Sequence, residues 1–419
     1  MQNQIWQTIR HNKLFAAIYI FGTALALAST TVAVVVLNSM IAPVYPEYDR
    51  LSSAFIQRLS MELPEGGNMG FSMSYDLVRD HMYTLRNARK VSAYMEPWES
   101  AYASRFDGGL DFPVKIKYTD PAFFDVYSFR FLAGKRYSDA EFQSGMPVAV
   151  VGEKTAREAF GAGDAEQYIG KDIRVNFTDY RVVGVVKEST PAQTDSYAGV
   201  YVPYTSKQGY DQAVNGIPWI GQLKLVTVTD SLDALQAEIA ELEARFNASH
   251  EGYQVHFFGQ PVSHAVKTFR PGIQDTEFRL SGVFLVFALV IMALLLIPSL
   301  NLSGIISGHM ESRMAEMGLR KSFGATRVRL LREVLCENLW LTFLGGIVGY
   351  FFAYMMLKAG VADLFMSYGV ATDFTNEMIF SPVVFLSVFL ICAVLNTLSG
   401  LLPVYRSLGR PVVESLNEK

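Results

Sequence analysis

Cysteine is almost missing from this chain. There are two in 419 residues, Cys336 and Cys392, and both fall in or beside apolar segments. No disulfide framework braces the polar part of the sequence, and a polar domain of this size needs none to stabilise its core. The two thiols read as small apolar residues rather than as a redox pair. Charge is also scarce, at 18% of residues against 50% hydrophobic. Histidine is thin: His81, His250, His256 and His264 in the polar region show no His-Glu-x-x-His or similar ligand spacing. There is no Gly-x-Ser-x-Gly elbow. Gly-x-x-x-x-Gly-Lys-[Ser/Thr] does not occur, and Gly134-Lys135 and Gly170-Lys171 lack both the upstream glycine and the following hydroxyl. A P-loop ATPase is thereby excluded. Paired acids such as Asp139 and Glu141 read as solvated charges. The chain is expected to be no enzyme and to hold no metal or cofactor of its own.

What is present is long apolar runs. Leu14–Ala42, Leu280–Ser307, Asn338–Leu357 and Met378–Tyr405 carry no charge. Each is long enough to cross a ~30 Å hydrocarbon core as a helix at about 1.5 Å per residue. Soluble helices normally keep a polar face. The predicted fold class is an integral membrane protein with four transmembrane helices, arranged one and three around a large extracytoplasmic α+β domain at 43–278. The first run extends well past the apolar core of a signal peptide and reads as an uncleaved anchor.

Basic residues set the orientation. The 1–13, 308–333 and 406–419 segments carry eleven, among them Arg10, Arg320, Arg327 and Arg406, against five acids, whereas the 43–278 insert is net acidic. Lys and Arg mark the cytoplasmic side of short loops. Both termini and the 308–333 loop are then cytoplasmic, and the insert and the 358–377 loop lie outside.

Within the insert, strand-like runs are predicted at 50–62, 114–118, 148–151, 173–177, 181–186, 199–202, 222–228 and 254–258. Helices are predicted at Tyr75–Asn87 after Ser74, at Lys154–Phe160 before Gly161, and at Ser231–Asn247. The last has an apolar stripe of Leu232, Leu235, Ile239, Leu242 and Phe246. Thr178-Asp179 is expected to turn a hairpin.

Between the second and third runs, Glu316 and Arg320 stand i,i+4 in the favourable order. Gly324 suits a helix end and Thr326 a new N-cap, so a short helix, a corner and a second helix are expected. Met310, Met314, Met317, Leu319 and Phe323 give the first helix an apolar side ringed by basic residues. Such a side fits either a lipid surface or a groove on a partner, and periodicity does not separate them. Asn301 and Asn396 read as interhelical hydrogen-bond partners, Gly345 and Gly349 as a close-packing face, and Pro298 as a kink in span two. Few polar and no charged groups inside the membrane argue against a hydrophilic channel.

The segment Glu316-x-Gly-Leu-Arg-Lys-x-x-Gly-Ala325, with Glu337 and Gly345-Gly346-x-x-Gly349, resembles the core of FtsX-like/MacB-like ABC transporter permeases. Leu401-Leu402-Pro403 and Arg410-Pro-Val-Val-Glu-Ser-Leu416 continue the resemblance. Asp120-Pro-Ala-Phe-Phe-Asp-Val-Tyr-Ser-Phe-Arg-Phe-Leu-Ala-Gly134, then Val148–Gly152, Ala156–Phe160, Ile169-Gly170-Lys171 and Val182–Val186, resemble a MacB-type periplasmic core. This likeness implies a bacterial inner-membrane permease that dimerises as a homo- or heterodimer. Its 308–333 loop would dock on a separate cytoplasmic ABC ATPase, which uses the ATP and Mg²⁺. Glu316, Gly318, Arg320, Lys321 and Gly324 are the implied coupling residues; Phe323 departs from the smaller residue many relatives carry. The outer region is implied to comprise a porter-like part (45–118 and 215–270) and a sabre-like part (119–214). A periplasmic adaptor and an outer-membrane protein are further partners of this architecture, beside the lipid bilayer; nucleic acid is not. The expected function is mechanotransmission: ATP-driven motion carried outward to export a periplasmic substrate, extract a lipoprotein or switch an envelope enzyme. The alternative is a membrane-anchored binding or sensory protein.

Overall fold

A computed structural model describes residues 13–361 and 382–409, apart from 63–67, 98–100, 106–108, 110, 192, 213–218, 250–253, 271, 273–276 and 313. The termini, most of the 358–377 loop, His250 and the 410–416 motif lie outside the described residues. Two compact units result: one of residues 1–38 and 281–419, the other of 39–280.

In the first unit, four helices among the described residues are long and apolar enough to cross a membrane. The span-one helix is Lys13–Ile41 and the span-two helix Leu280–Ser312, which runs on through Pro298. Span three is the apolar part of one long helix, Arg327–Lys358, and span four that of Pro382–Gly409. Helix therefore continues beyond the apolar runs on the side of the basic loop. Glycines set the closest approach. A Cβ on Gly345 would stand 2.8 Å from Thr23 Cβ, and one on Gly349 would stand 2.7 Å from the Ala24 carbonyl oxygen. Spans one and three meet backbone to backbone there, as small residues allow. Gly349→Leu should overpack this contact at a cost of about 1–3 kcal/mol, read as a lower unfolding midpoint of the detergent-solubilised chain. Gly282→Leu, where nothing lies within 4 Å, is the control.

Polar groups tie the four spans together. The Tyr19 hydroxyl lies 3.1 Å from Thr342 Oγ1, Asn396 Nδ2 donates to the same oxygen at 3.4 Å, and Ser299 Oγ donates to Asn396 Oδ1 at 2.8 Å. Away from water each of these groups needs a protein partner. Span two enters this chain of bonds through Ser299; Asn301 is exposed on its other side.

The second unit is α+β. One mixed sheet runs in the order 262–263, 53–56, 224–228, 90–95, 116–119, 200–203, 148–152, 178–186, 172–175, 101–105, 112–114, and 131–134 also pairs with 178–186. A second, antiparallel sheet is built from 220–221, 68–73, 59–62 and 254–256. Strands 68–73, 90–95 and 131–134 lie outside the predicted runs, although 68–73 alternates, with Met69, Phe71 and Met73 set between Asn68, Gly70 and Ser72. The 173–186 hairpin turns at Asn176-Phe177, both with positive φ, two residues before the expected Thr178-Asp179. Asn tolerates that conformation, whereas Thr178 and Asp179 pair across the ladder with Val175 and Arg174. Hydrogen bonding runs across the expected 118/119 boundary. Strand 116–119 joins 90–95 to 200–203, and 101–105 pairs with 172–175.

The Asp120–Phe129 motif has a local cause. Asp120 accepts from the backbone N–H of Ala93 (2.8 Å) and Phe123 (3.0 Å), from Ser92 (2.7 Å) and from Tyr83 (2.7 Å). Its short helix then delivers Phe123, Phe124 and Tyr127 into an aromatic core with Tyr137 and Tyr201. Burial pushes the Asp120 carboxyl up to about 6 despite these four donors.

Candidate functional site

Among the described residues, each unit holds a place where charged side chains gather. In the first unit it is the corner at 314–333. The elbow helix, Met314–Ser322, ends in a Schellman motif. Gly324 N–H bonds Lys321 O at 2.9 Å and Ala325 N–H bonds Arg320 O at 3.0 Å, with Gly324 at φ +91°. Thr326 then caps the next helix by accepting from Arg329 N–H at 3.3 Å. Arg320 braces the corner: it donates to Glu316 at 2.5 Å within its own helix and to Glu333 at 3.0 Å on the next one. Arg329 lies 3.8 Å from the same Glu333.

The helix has two faces. Met317 and Gly318 are buried; Met317 joins a core with Met310, Leu330 and Val334. Outward stand Leu319, Phe323 (85% exposed) and Val328. Lys321 and Arg327 lie beside them, and partial burial with Arg327 nearby lowers the Lys321 pKa. The residues singled out in the sequence thus divide by task. Glu316, Arg320 and Gly324 shape the corner and Gly318 packs it. Phe323 and Lys321 present a basic-rimmed apolar surface. Glu333 was missed, and a carboxylate thirteen residues from Arg320 has no helical spacing to reveal it.

In the second unit the cluster is buried and ionic. Glu47 and Arg50 pair at 2.7 Å, with side chains 2% and 3% exposed. Arg50 also donates to the carbonyls of Ser39 (2.6 Å) and Ala42 (2.9 Å), and Glu47 accepts from Ser196 N–H at 2.9 Å. Burial alone would raise the Glu47 pKa, but Arg50, His264 and Ser196 hold it at about 2. Asp195 touches Lys267 and stands 3.1 Å from His264 Nδ1. Burial pushes the Lys267 ammonium down to about 7, opposed by Glu47 and Glu96, and the contact with Asp195 favours its charged form. The fully buried Lys117 pairs with Glu96 at 2.9 Å and donates to the Asp195 carbonyl.

Glu47, Asp195 and His264 bring ligand-type atoms within 4.8 Å of one another. The donor set does not suit a metal dication. Arg50 already neutralises Glu47 and Lys267 neutralises Asp195, so the cluster balances as it stands. None of these residues except His264 stood out in the sequence, although Lys267 one turn after His264 in a short helix was a usable signal.

The comparisons with known proteins cover almost all of the chain. The MacB-like periplasmic core domain matches residues 16–242, and the FtsX-like permease C-terminal domain matches residues 282–412. The chain is 24% identical over 232 residues to the uncharacterized ABC transporter permease YknZ of Bacillus subtilis, covering 54% of this chain and 53% of that one. It is 22% identical over 355 residues to the macrolide export ATP-binding/permease protein MacB of Bdellovibrio bacteriovorus, covering 83% and 52%. It is 24% identical over 272 residues to the pyoverdine export ATP-binding/permease protein PvdT of Pseudomonas syringae, covering 64% and 38%. The chain thus spans about half the length, or less, of these relatives. Among solved structures, the periplasmic region of MacB from Actinobacillus actinomycetemcomitans is similar at 16% identity and a TM-score of 0.35, covering 52% of this chain and 94% of that one.

Proposed function

Starting from a chain that belongs to the MacB-like and FtsX-like ABC transporter permeases, we propose that it receives ATP-driven motion at the 314–333 elbow and delivers it to the outer domain. The observation that carries this reading is the outward face of the elbow. Leu319, Phe323 and Val328 stand exposed beside Lys321 and Arg327, while Arg320 locks the corner behind them to Glu316 and Glu333. An apolar anchor on a rigid, braced corner suits insertion into a groove on a separate cytoplasmic ABC ATPase. That ATPase would bind and hydrolyse ATP with Mg²⁺, because this chain lacks a phosphate-binding loop.

A second permease subunit fits the membrane unit. Ile297, Asn301, Gly304 and Gly308 form one outward stripe of span two, and an amide facing hydrocarbon favours a partner helix. Periplasmic adaptor and outer-membrane partners belong to the same proposal. The relatives' names state macrolide and pyoverdine export for those proteins, which makes export of a substrate from the outer side the leading output for this one. Lipoprotein extraction and control of an envelope enzyme are the others. A photo-cross-linker at Lys321 should capture the ATPase in intact membranes. Capture of lipid alone, with no ATPase at any stage of the cycle, would overturn the docking role.

A further inference from the structure

A cavity of about 300 Å³ opens in the second unit beside the turn at 257–261. The apolar side chains of Leu232, Phe258, Val262, Val266 and Phe278 line it, and Arg270 is the charged member of its wall. Two polar neighbours are already committed. Gln236 Nε2 donates to the Gly259 and Pro261 carbonyls at 3.0 and 2.9 Å. Ser263 Oγ caps the short helix His264–Phe269 by accepting from Val266 N–H. An occupant therefore meets apolar side chains beside a guanidinium, in a space at the small end of the range for ligand pockets.

The apolar wall is held in place against local preference. Phe258 has φ +51°, a left-handed conformation that bulky side chains rarely adopt. Buried Gln260 pins that turn: it donates to the carbonyls of Phe257 (2.9 Å) and Arg58, and accepts from Gln57 N–H at 2.8 Å. On the 232–249 helix, Leu235, Ile239, Leu242 and Phe246 are buried, whereas Leu232 is half-buried and lines the cavity. The cavity also lies at the edge where the membrane helices enter this unit. The helix carrying Val266 meets the last turn of the span-one helix, with His264 Nε2 2.9 Å from the Met40 carbonyl oxygen. Phe278 stands two residues before the span-two helix begins at Leu280. Glu277 and Arg279 on either side of Phe278 are exposed and balance each other, which leaves Arg270 to set the charge of the cavity.

We infer that this cavity takes one acyl chain of an anionic phospholipid from the leaflet that the outer domain faces, with the lipid phosphate on Arg270. Apolar side chains at the membrane edge favour a hydrocarbon chain over a polar solute. A guanidinium matches a phosphate in charge and in the geometry of its planar donors. The second acyl chain of the same lipid stays in the bilayer, so the lipid ties this edge of the outer domain to the membrane surface. The inference stands apart from the docking of the elbow and uses none of its residues.

The test places the full chain in nanodiscs of dioleoyl phosphatidylcholine and phosphatidylglycerol. A trace of either lipid carries a photoreactive diazirine at the end of one acyl chain, and the adducts are mapped by peptide mass spectrometry. Exposed Leu285 and Leu289 of span two should take both probes and serve as the internal standard. Peptides covering 232–236 and 256–266 should take the phosphatidylglycerol probe over the phosphatidylcholine probe by roughly tenfold, the effect of one charge-assisted contact. Arg270→Gln should bring that ratio close to one. Leu232→Trp fills the cavity and should remove the adducts there while span two stays labelled; Val266→Trp replaces it if that chain does not fold. Labelling of span two without the cavity peptides, equal labelling by the two probes in the wild type, or adducts that survive the tryptophan would overturn the inference. Displacement by a diacylated lipopeptide, but not by added phosphatidylglycerol, would overturn it too and give the cavity to acylated protein.

Discussion

Placing aspartate at Phe323 is expected to release the ATPase from the permease while leaving the permease folded. Phe323 is 85% exposed and sits at the end of the elbow helix, just before the Gly324 corner, so its removal leaves no cavity. As an anchor in a partner groove, a side chain of this type contributes about 2 kcal/mol or more, equivalent to roughly a thirtyfold loss of affinity. A carboxylate also sets the wrong charge beside Lys321 and Arg327 if the groove is acidic. Co-purification from detergent should fall accordingly, and ATP hydrolysis should become insensitive to the permease. Phe323→Leu should retain most of the binding. Arg320→Met loosens the brace to Glu316 and Glu333 rather than the anchor, so the ATPase should still bind but couple less well.

Arg50→Met is expected to have the largest effect on stability. It strands Glu47 in a site where both side chains are nearly sealed from water, and it leaves the carbonyls of Ser39 and Ala42 without their donor. Breaking one side of a buried pair costs about 3–5 kcal/mol. The pH dependence carries its own signature. Glu47 is held at about 2 in the fold, against an ordinary 4.5. Its contribution is therefore complete above 4.5 and drains away as pH falls toward 2. Without Arg50 that carboxyl rises, so acid unfolding of the variant should begin at a higher pH. Pulse proteolysis across a pH series measures both effects. Glu47→Gln with Arg50 intact strands the opposite charge and should be similarly unstable at neutral pH but flatter in acid.

The corner was legible in the sequence because its signals are local. Glu316 and Arg320 at i,i+4, Gly324 after the helix and Thr326 before the next each act within one turn. The membrane spans were legible for a similar reason, as runs without charge. The link from Arg320 to Glu333 and the Glu47–Arg50–Asp195–His264–Lys267 cluster were not. Their members come from distant segments, and each alone has the composition of an ordinary surface residue. The bond to Asn396 comes from Ser299, while Asn301 is exposed on the same helix. Both are polar and two residues apart, and only packing decides which one faces Asn396.

Coupling through the elbow is tested most directly by watching the outer domain while nucleotide is added to the reconstituted complex. Labels at Phe177→Cys on the hairpin tip and Glu241→Cys on the 232–249 helix, in a chain lacking Cys336 and Cys392, report distances within that domain. Addition of ATP should shift their distance distribution, and Phe323→Asp should abolish the shift with ATP still present. An unmoving outer domain, or a shift that survives Phe323→Asp, would contradict transmission through this corner.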